Sequence, residues 1–243
     1  MKGFINKKGA GHFEMIFSFV FFVGFVFFLF MVLKPQDTST LSGSVIAALY
    51  DSFEEEVHTN LTGPFLLKAN YEGANACFVI DLPGRIFAYE IKDDASYVTD
   101  LGGTDIDSNL VTSGGDGDLN INNDDTFFRV FISPEFKDED TSGCESLDNY
   151  ELGGIVERRV VSYSALKIMS ERYLNGSYED LRSELRVPPV FDFAIIPENM
   201  SGIIMEPQDG VPTSVEVQAQ DYVIEVLRDN GELRNERFTL KIW

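Results

Sequence analysis

From Met15 to Leu33 the chain runs nineteen residues without a charge, eight of them phenylalanine. Taken as a helix rising about 1.5 Å per residue, this run spans roughly 28 Å, close to the thickness of a bilayer's hydrocarbon core. A secretory signal core is shorter, about 7 to 15 residues, and a small-residue cleavage site follows it, which is not the case here. A buried core helix is the alternative, but phenylalanines around the whole circumference need cover on every side. The expectation is a transmembrane helix over residues 10–34.

Lys2, Lys7 and Lys8 precede the run, and only Lys34 follows it before an acidic remainder. Basic residues favour the cytoplasmic side, so the N-terminus is expected inside and residues 35–243 outside. Four of the 19 Lys and Arg and one of the 40 Asp and Glu precede residue 35, which leaves the remainder 15 basic against 39 acidic residues, a net charge of −24. Such a surface argues against nucleic acid and anionic lipid as ligands of that domain, because both are polyanions. The cysteines, Cys77 and Cys144, both fall in this part. Outside the cytosol a pair is more often a bridge than two thiols, so a disulfide is expected. Asn60-Leu-Thr, Asn175-Gly-Ser and Asn199-Met-Ser are candidate N-glycosylation acceptors.

Beyond Pro35, which interrupts the rod, Val45, Leu49, Phe53 and Val57 recur every four residues with Asp51, Glu54 and Glu55 off that line. The spacing predicts an amphipathic helix continuing the first over residues 35–59. "ACFVIDL" and "RIFAYEIK" read as strands of a hairpin turning at Pro83-Gly84, and "FFRVFIS" and "YELGGIVERRVVS" as further strands. "ALKIMSERYLNGSYEDLRSEL" shifts to helical spacing, broken at Asn175-Gly176, and "VFDFAIIP" returns to strand. The end reads as a hairpin around a type I′ turn at Asn230-Gly231, with Phe238, Leu240 and Ile242 on one face. Helix first and mostly neighbouring strands afterwards predict an α+β domain over residues 60–243, its antiparallel sheet packed on the helix.

No pair of histidines, nucleophile elbow or glycine-rich phosphate loop stands in the sequence, so an enzyme is not expected. Residues 93–128 hold nine Asp and no Lys or Arg. Within them Asp116, Asp118, Asn120, Asn122 and Asp124 alternate, as oxygen ligands do in a tight calcium loop. Ile121 stands where such a loop needs glycine and Phe127 where it needs Glu, so calcium and a solvated acidic loop both remain open. No other cofactor is implied.

"KKGAGHFE" ahead of an apolar helix resembles the class III signal of archaeal and bacterial type IV pilins. The resemblance implies a leader over residues 1–9 and cleavage by a prepilin peptidase between Gly9 and Ala10, which makes Glu14 the fifth mature residue. The Ala10-Gly11 step leaves a cut one residue later open. It also implies a long N-terminal helix that meets other pilin-like subunits, with Glu14 serving assembly by pairing with the new amine of a neighbour. The function so expected is a structural, membrane-anchored subunit, minor or accessory, of a surface filament. The rivals are a tethered extracellular binding module, calcium-dependent or not, and an anchored hydrolase. N-terminal sequencing of the mature protein is expected to begin at Ala10. An intact Met1 would remove the leader.

Overall fold

A computed structural model describes residues 10–32, 38–71, 77–82, 94–113, 116–139, 141 and 143–243. The chain divides into two compact units, Met1–Ser44 and Val45–Trp243. The first holds α1 (Ala10–Val32) and the opening of α2 (Thr38–Val57). Side chains along α1 are described from Glu14 to Leu29 and are exposed or half-exposed throughout.

The second unit starts inside α2, where Val45, Ile46, Leu49, Phe53 and Val57 are buried while Asp51, Glu54 and Glu55 face out. There follow in chain order β1 (His58–Ala69), β2 (Phe78–Leu82), β3 (Ala95–Asp100), β4 (Asp105–Ile106), β5 (Ser108–Ser113), β6 (Asp116–Ile121) and β7 (Phe127–Ser133). Then come β8 (Glu145–Ser146), β9 (Tyr150–Leu152), β10 (Glu157–Ser162), α3 (Tyr163–Leu174), α4 (Tyr178–Glu184), β11 (Phe193–Pro197), β12 (Gln218–Leu227) and β13 (Leu233–Ile242). The larger sheet runs β11-β13-β12-β10-β1-β7-β3-β4, with β9 also on β1, and the smaller runs β5-β6-β2-β8. Two pairings, β10 with β12 and β2 with β8, are parallel.

β1 is the strand on which the large sheet turns. Thr62 stands opposite Ile132 but Phe65 opposite Val130, so three steps on β1 match two on β7. This bulge requires glycine: Gly63 has φ 114°, and a Cβ there would lie 2.5 Å from the Val130 carbonyl oxygen. The Gly63 N–H, lost to the ladder, donates to Val156 O at 2.8 Å. Because side chains alternate along a strand, one extra residue reverses which face the odd positions take. Leu61 therefore points to one side, with Val160, Leu227, Phe136 and Ala95. Phe65 and Leu67 point to the other, with Val130, Phe128, Ile80 and Leu119.

The sheet curls into an eight-strand half-barrel around the first of these clusters. Three strands separate β12 from β3, yet Gly231, in the β12–β13 turn, lies against the Tyr97 ring of β3, where an added Cβ would come within 2.2 Å. Helices cover one end of the outer face: α2, α3 and α4 bury Leu49, Phe53, Leu166, Met169 and Leu181 against Phe193, Ile224, Phe238 and Leu240. The smaller sheet covers the other end. α3 is locked at its start by Ser162, whose Oγ accepts from the Ala165 N–H at 2.9 Å. The buried Glu135 carboxylate accepts from Ser162, from the Ser164 N–H at 2.9 Å and from the Ser164 hydroxyl at 2.8 Å. A carboxylate there also suits the positive end of the helix.

The expected fold class is corrected. The protein is mostly β, 41% strand and 26% helix, rather than α+β, and its main sheet is a curled mixed sheet rather than an antiparallel one on a helix. Among the described residues no helix is long and apolar enough to cross a membrane. The hairpin turn at Pro83-Gly84, with the strand after it, and the interruption at Pro35 lie outside the described residues; among the described residues β2 pairs with β6 and β8. The terminal hairpin is present, but its turn is not type I′. Gly231 donates to Arg228 O at 3.0 Å with φ 71°, while Asn230 stays out of the positive-φ region, so one glycine does the work that type I′ divides between two residues.

Cys77 and Cys144 form a disulfide, Cα to Cα 4.7 Å, at the starts of the parallel pair β2 and β8. The bridge closes a loop of sequence separation 67, which limits the unfolded chain by about 4 kcal/mol. Replacing both cysteines with alanine is expected to lower the unfolding free energy of the full chain by an amount of that order, read by urea denaturation. A change below about 1 kcal/mol would show that the bridge adds little.

Candidate functional site

A cavity of about 590 Å³ opens where α3 ends, α4 begins and β13 finishes. It is lined by Tyr173, Tyr178 and Trp243 together with Asp192, Glu206 and Asp209, and Pro207 and Pro212 stiffen the loop that contributes to it. The aromatic wall is built by folding Asn175-Gly176, where Gly176 takes φ 90°, so that two helix ends bring Tyr173 and Tyr178 edge to face at 5.1 Å. Phe193 packs on both rings. Trp243 is fixed from its backbone, which exchanges two hydrogen bonds with Asp192 at 2.9 and 3.1 Å.

Both phenol hydroxyls are committed to the protein. Tyr173 donates to Phe193 O at 2.8 Å, and Tyr178 donates to Asp192 Oδ1 at 3.0 Å while accepting from the Phe193 N–H at 3.2 Å. Burial pushes both phenols up, Tyr178 to about 12 against an ordinary 10.0, with the Asp192 carboxylate adding to it. Arg182 pairs with Asp192 at 3.6 Å. Among the described residues no cation pairs with Glu206 or Asp209, so the mouth of this cavity is negative.

A second cavity, about 290 Å³, lies between Asp229-Asn230 of the terminal hairpin and the β3–β4 region. Tyr97 donates to Asp105 there, and Glu139 shares a hydrogen bond with Asp107 that raises the Glu139 carboxyl, with Coulomb repulsion from Asp107 next in effect. Among the described residues no three His, Cys, Asp or Glu side chains are grouped to hold a metal.

The residues expected as calcium ligands are placed along one strand and the connection after it. Asp116, Asp118 and Asn120 lie on β6, facing away from buried Gly117, Leu119 and Ile121, and Asn122 and Asp124 are exposed in the connection after it. Alternate residues of a strand stand about 7 Å apart on one face. Asn120 donates to Asn109 O on β5 at 3.3 Å. Of the sequons, Asn60 is half-buried within β1 with its Thr62 fully buried, whereas Asn175 at the end of α3 and Asn199 after β11 are exposed. Gly9 lies outside the described residues, Ala10 opens α1, and Glu14 is exposed on it.

No local pattern in the sequence singles out Glu206 and Asp209 or brings Trp243 beside Tyr173. The available signal was the loop Pro207–Pro212, punctuated by proline and glycine beside the chain's only tryptophan in space but not in sequence.

The raised Tyr178 hydroxyl makes stability depend on pH. A group held protonated in the fold stabilises fully below its unfolded value and loses that contribution as pH rises through the folded one. The window is pH 10 to about 12. Tyr178→Phe is expected to flatten the alkaline fall in unfolding free energy across that window, read by urea denaturation at stepped pH. An unchanged slope would deny the burial effect. Comparison with known protein families, curated sequences and solved structures finds no match.

Proposed function

We propose that this chain is a membrane-anchored, pilin-like accessory subunit of a surface filament, with α1 as the element that lipid and neighbouring helices cover and the domain Val45–Trp243 as the part displayed outside the cell. The observation that carries the reading is the state of α1. Ten of its apolar side chains from Met15 to Phe28 are between 57% and 75% exposed, with Val23 and Val26 half-exposed, so the described residues of its own unit leave most of it uncovered. Each such side chain left in water forgoes about 1.5 to 3 kcal/mol, and an apolar surface of this size marks an interaction site.

The sequence around α1 supports a bundle of like helices over an isolated anchor. Lys7, Lys8 and the Gly9-Ala10 step precede it in the order that a prepilin peptidase reads, and Glu14 is a carboxylate in an otherwise uncharged helix. Cleavage after Gly9 frees an amine on Ala10, and in a bundle Glu14 of one subunit neutralises that amine on the next through a charge-assisted hydrogen bond. The part played is structural and not enzymatic, and prepilin peptidase and other pilin-like subunits are the partners. The aromatic pocket favours a second reading, a tethered binding module, which the filament reading does not exclude.

Glu14→Gln tests the bundle. The side chain keeps its size and loses its charge, so membrane abundance is expected to hold or rise, because an uncharged group is less costly in lipid. Co-purification with pilin-like subunits is expected to fall tenfold or more, in line with the loss of roughly 1.5 to 3 kcal/mol for a hydrogen bond to a charged group. Equal assembly at equal abundance would sink the mechanism.

A further inference from the structure

The geometry points to the cavity between Tyr173, Tyr178, Trp243, Glu206 and Asp209 as a binding site for an alkylammonium group, either a free organic amine or the side chain of a lysine on another protein. At about 590 Å³ it exceeds what one ammonium head fills, so the aliphatic stem enters with it.

The ligand class is set by the groups that the walls leave uncommitted. The Tyr173 and Tyr178 hydroxyls are bound to Phe193 and Asp192, and the Tyr178 ring is stacked on Phe193 and lies 5.9 Å from the Arg182 guanidinium, so the aromatic surface offered to a ligand comes from Tyr173 and Trp243 and brings no hydroxyl donor. Glu206 and Asp209 offer acceptors, and Asp192 keeps one oxygen beyond those used by Tyr178 and Arg182. Gln208 holds the one side-chain amide on the wall. A sugar needs donors and acceptors in alternation around its ring, and an anion needs cations; this wall has few of the first and, within the cavity, none of the second. An ammonium brings up to three donors and no acceptor, and aromatic faces attract it further. The chain's net charge of −21 deepens the local potential and draws cations from solution. The aromatic wall is rigid before any ligand arrives, since packing on Phe193 and the Asp192–Trp243 backbone pair hold it. None of this depends on α1 or Glu14, so the site stands or falls apart from the filament reading.

Trp243 is the only tryptophan in the chain and lines the cavity, so its fluorescence reports occupancy without a label. The full chain in non-ionic detergent is titrated with n-butylammonium, with tetramethylammonium and with Nα-acetyl-lysine methylamide, beside n-pentanol as the uncharged isostere and methyl glucoside as a sugar. Saturable change with the ammonium compounds is expected, weakened by added salt and weakened roughly tenfold in Glu206→Gln or Asp209→Asn, the first at a half-buried and the second at an exposed position. Tighter binding of the lysine derivative than of butylammonium identifies a protein lysine as the natural occupant, and the reverse order a free amine. Equal response to n-pentanol, a response to methyl glucoside that survives both substitutions, or no saturation at millimolar ammonium would each overturn the proposal. Unchanged melting temperatures of the variants exclude unfolding as the cause of lost binding.

Discussion

The close approach of Gly63 to the Val130 carbonyl is the contact on which the domain depends. No residue with a Cβ fits at 2.5 Å from that oxygen, and at φ 114° none adopts the backbone without strain. The bulge it permits lets one long strand place Leu61 on the inner face and Phe65 on the outer. Without the extra residue the pleat would keep its phase, and either the inner cluster or the core shared with the second sheet would lose its β1 side chain. The same bulge adds twist, and twist carries the β12–β13 turn round until Gly231 meets Tyr97.

Curling leaves an outer face too long for one cover, and two different layers share it. Helices pack where β12, β13 and β11 present Ile224, Phe238 and Ile195, and the four-stranded sheet packs where β1, β7 and β3 present Leu67, Val130 and Val98. The small sheet is the weaker layer by construction, since β8 has two residues and pairs with β2 over two positions. The disulfide sits where that pairing begins, which compensates for its shortness. The aromatic pocket arises at the far edge of the helical layer, where helix ends, the last strand and a proline-bounded loop meet and no element remains to fill the gap.

Local periodicity was legible where one face of an element is buried. Val45, Leu49, Phe53 and Val57 follow the helical period and are buried together, and Phe238, Leu240 and Ile242 follow the strand period and are buried together. The alternating acids of 116–124 obey the strand period equally well, with Gly117, Leu119 and Ile121 as the buried partners. Attention to the carboxylates concealed that the intervening residues carry the signal. The parallel pairing of β10 with β12 was not legible, because strand residues do not encode which distant strand they join. Nor was the pocket, whose walls come from residues 173–178, 192, 206–212 and 243.

By itself the sequence determined the apolar character of residues 15–33, the acidic balance of residues 35–243, the amphipathic face of α2, both helices after residue 162 and the terminal hairpin. These are properties of neighbouring residues, set by charge, by periods of two and 3.6 and by glycine and proline. Only the tertiary structure decided that the domain is a curled mostly-β sheet, that β1 changes face at Gly63, that the expected Cys77–Cys144 bridge sits at the starts of two parallel strands and that Tyr173, Tyr178 and Trp243 line one cavity with Glu206 and Asp209. Each of these needs residues far apart in the chain to come within a few ångströms. That closure is selected by the joint burial of several elements at once, which no single stretch of sequence contains.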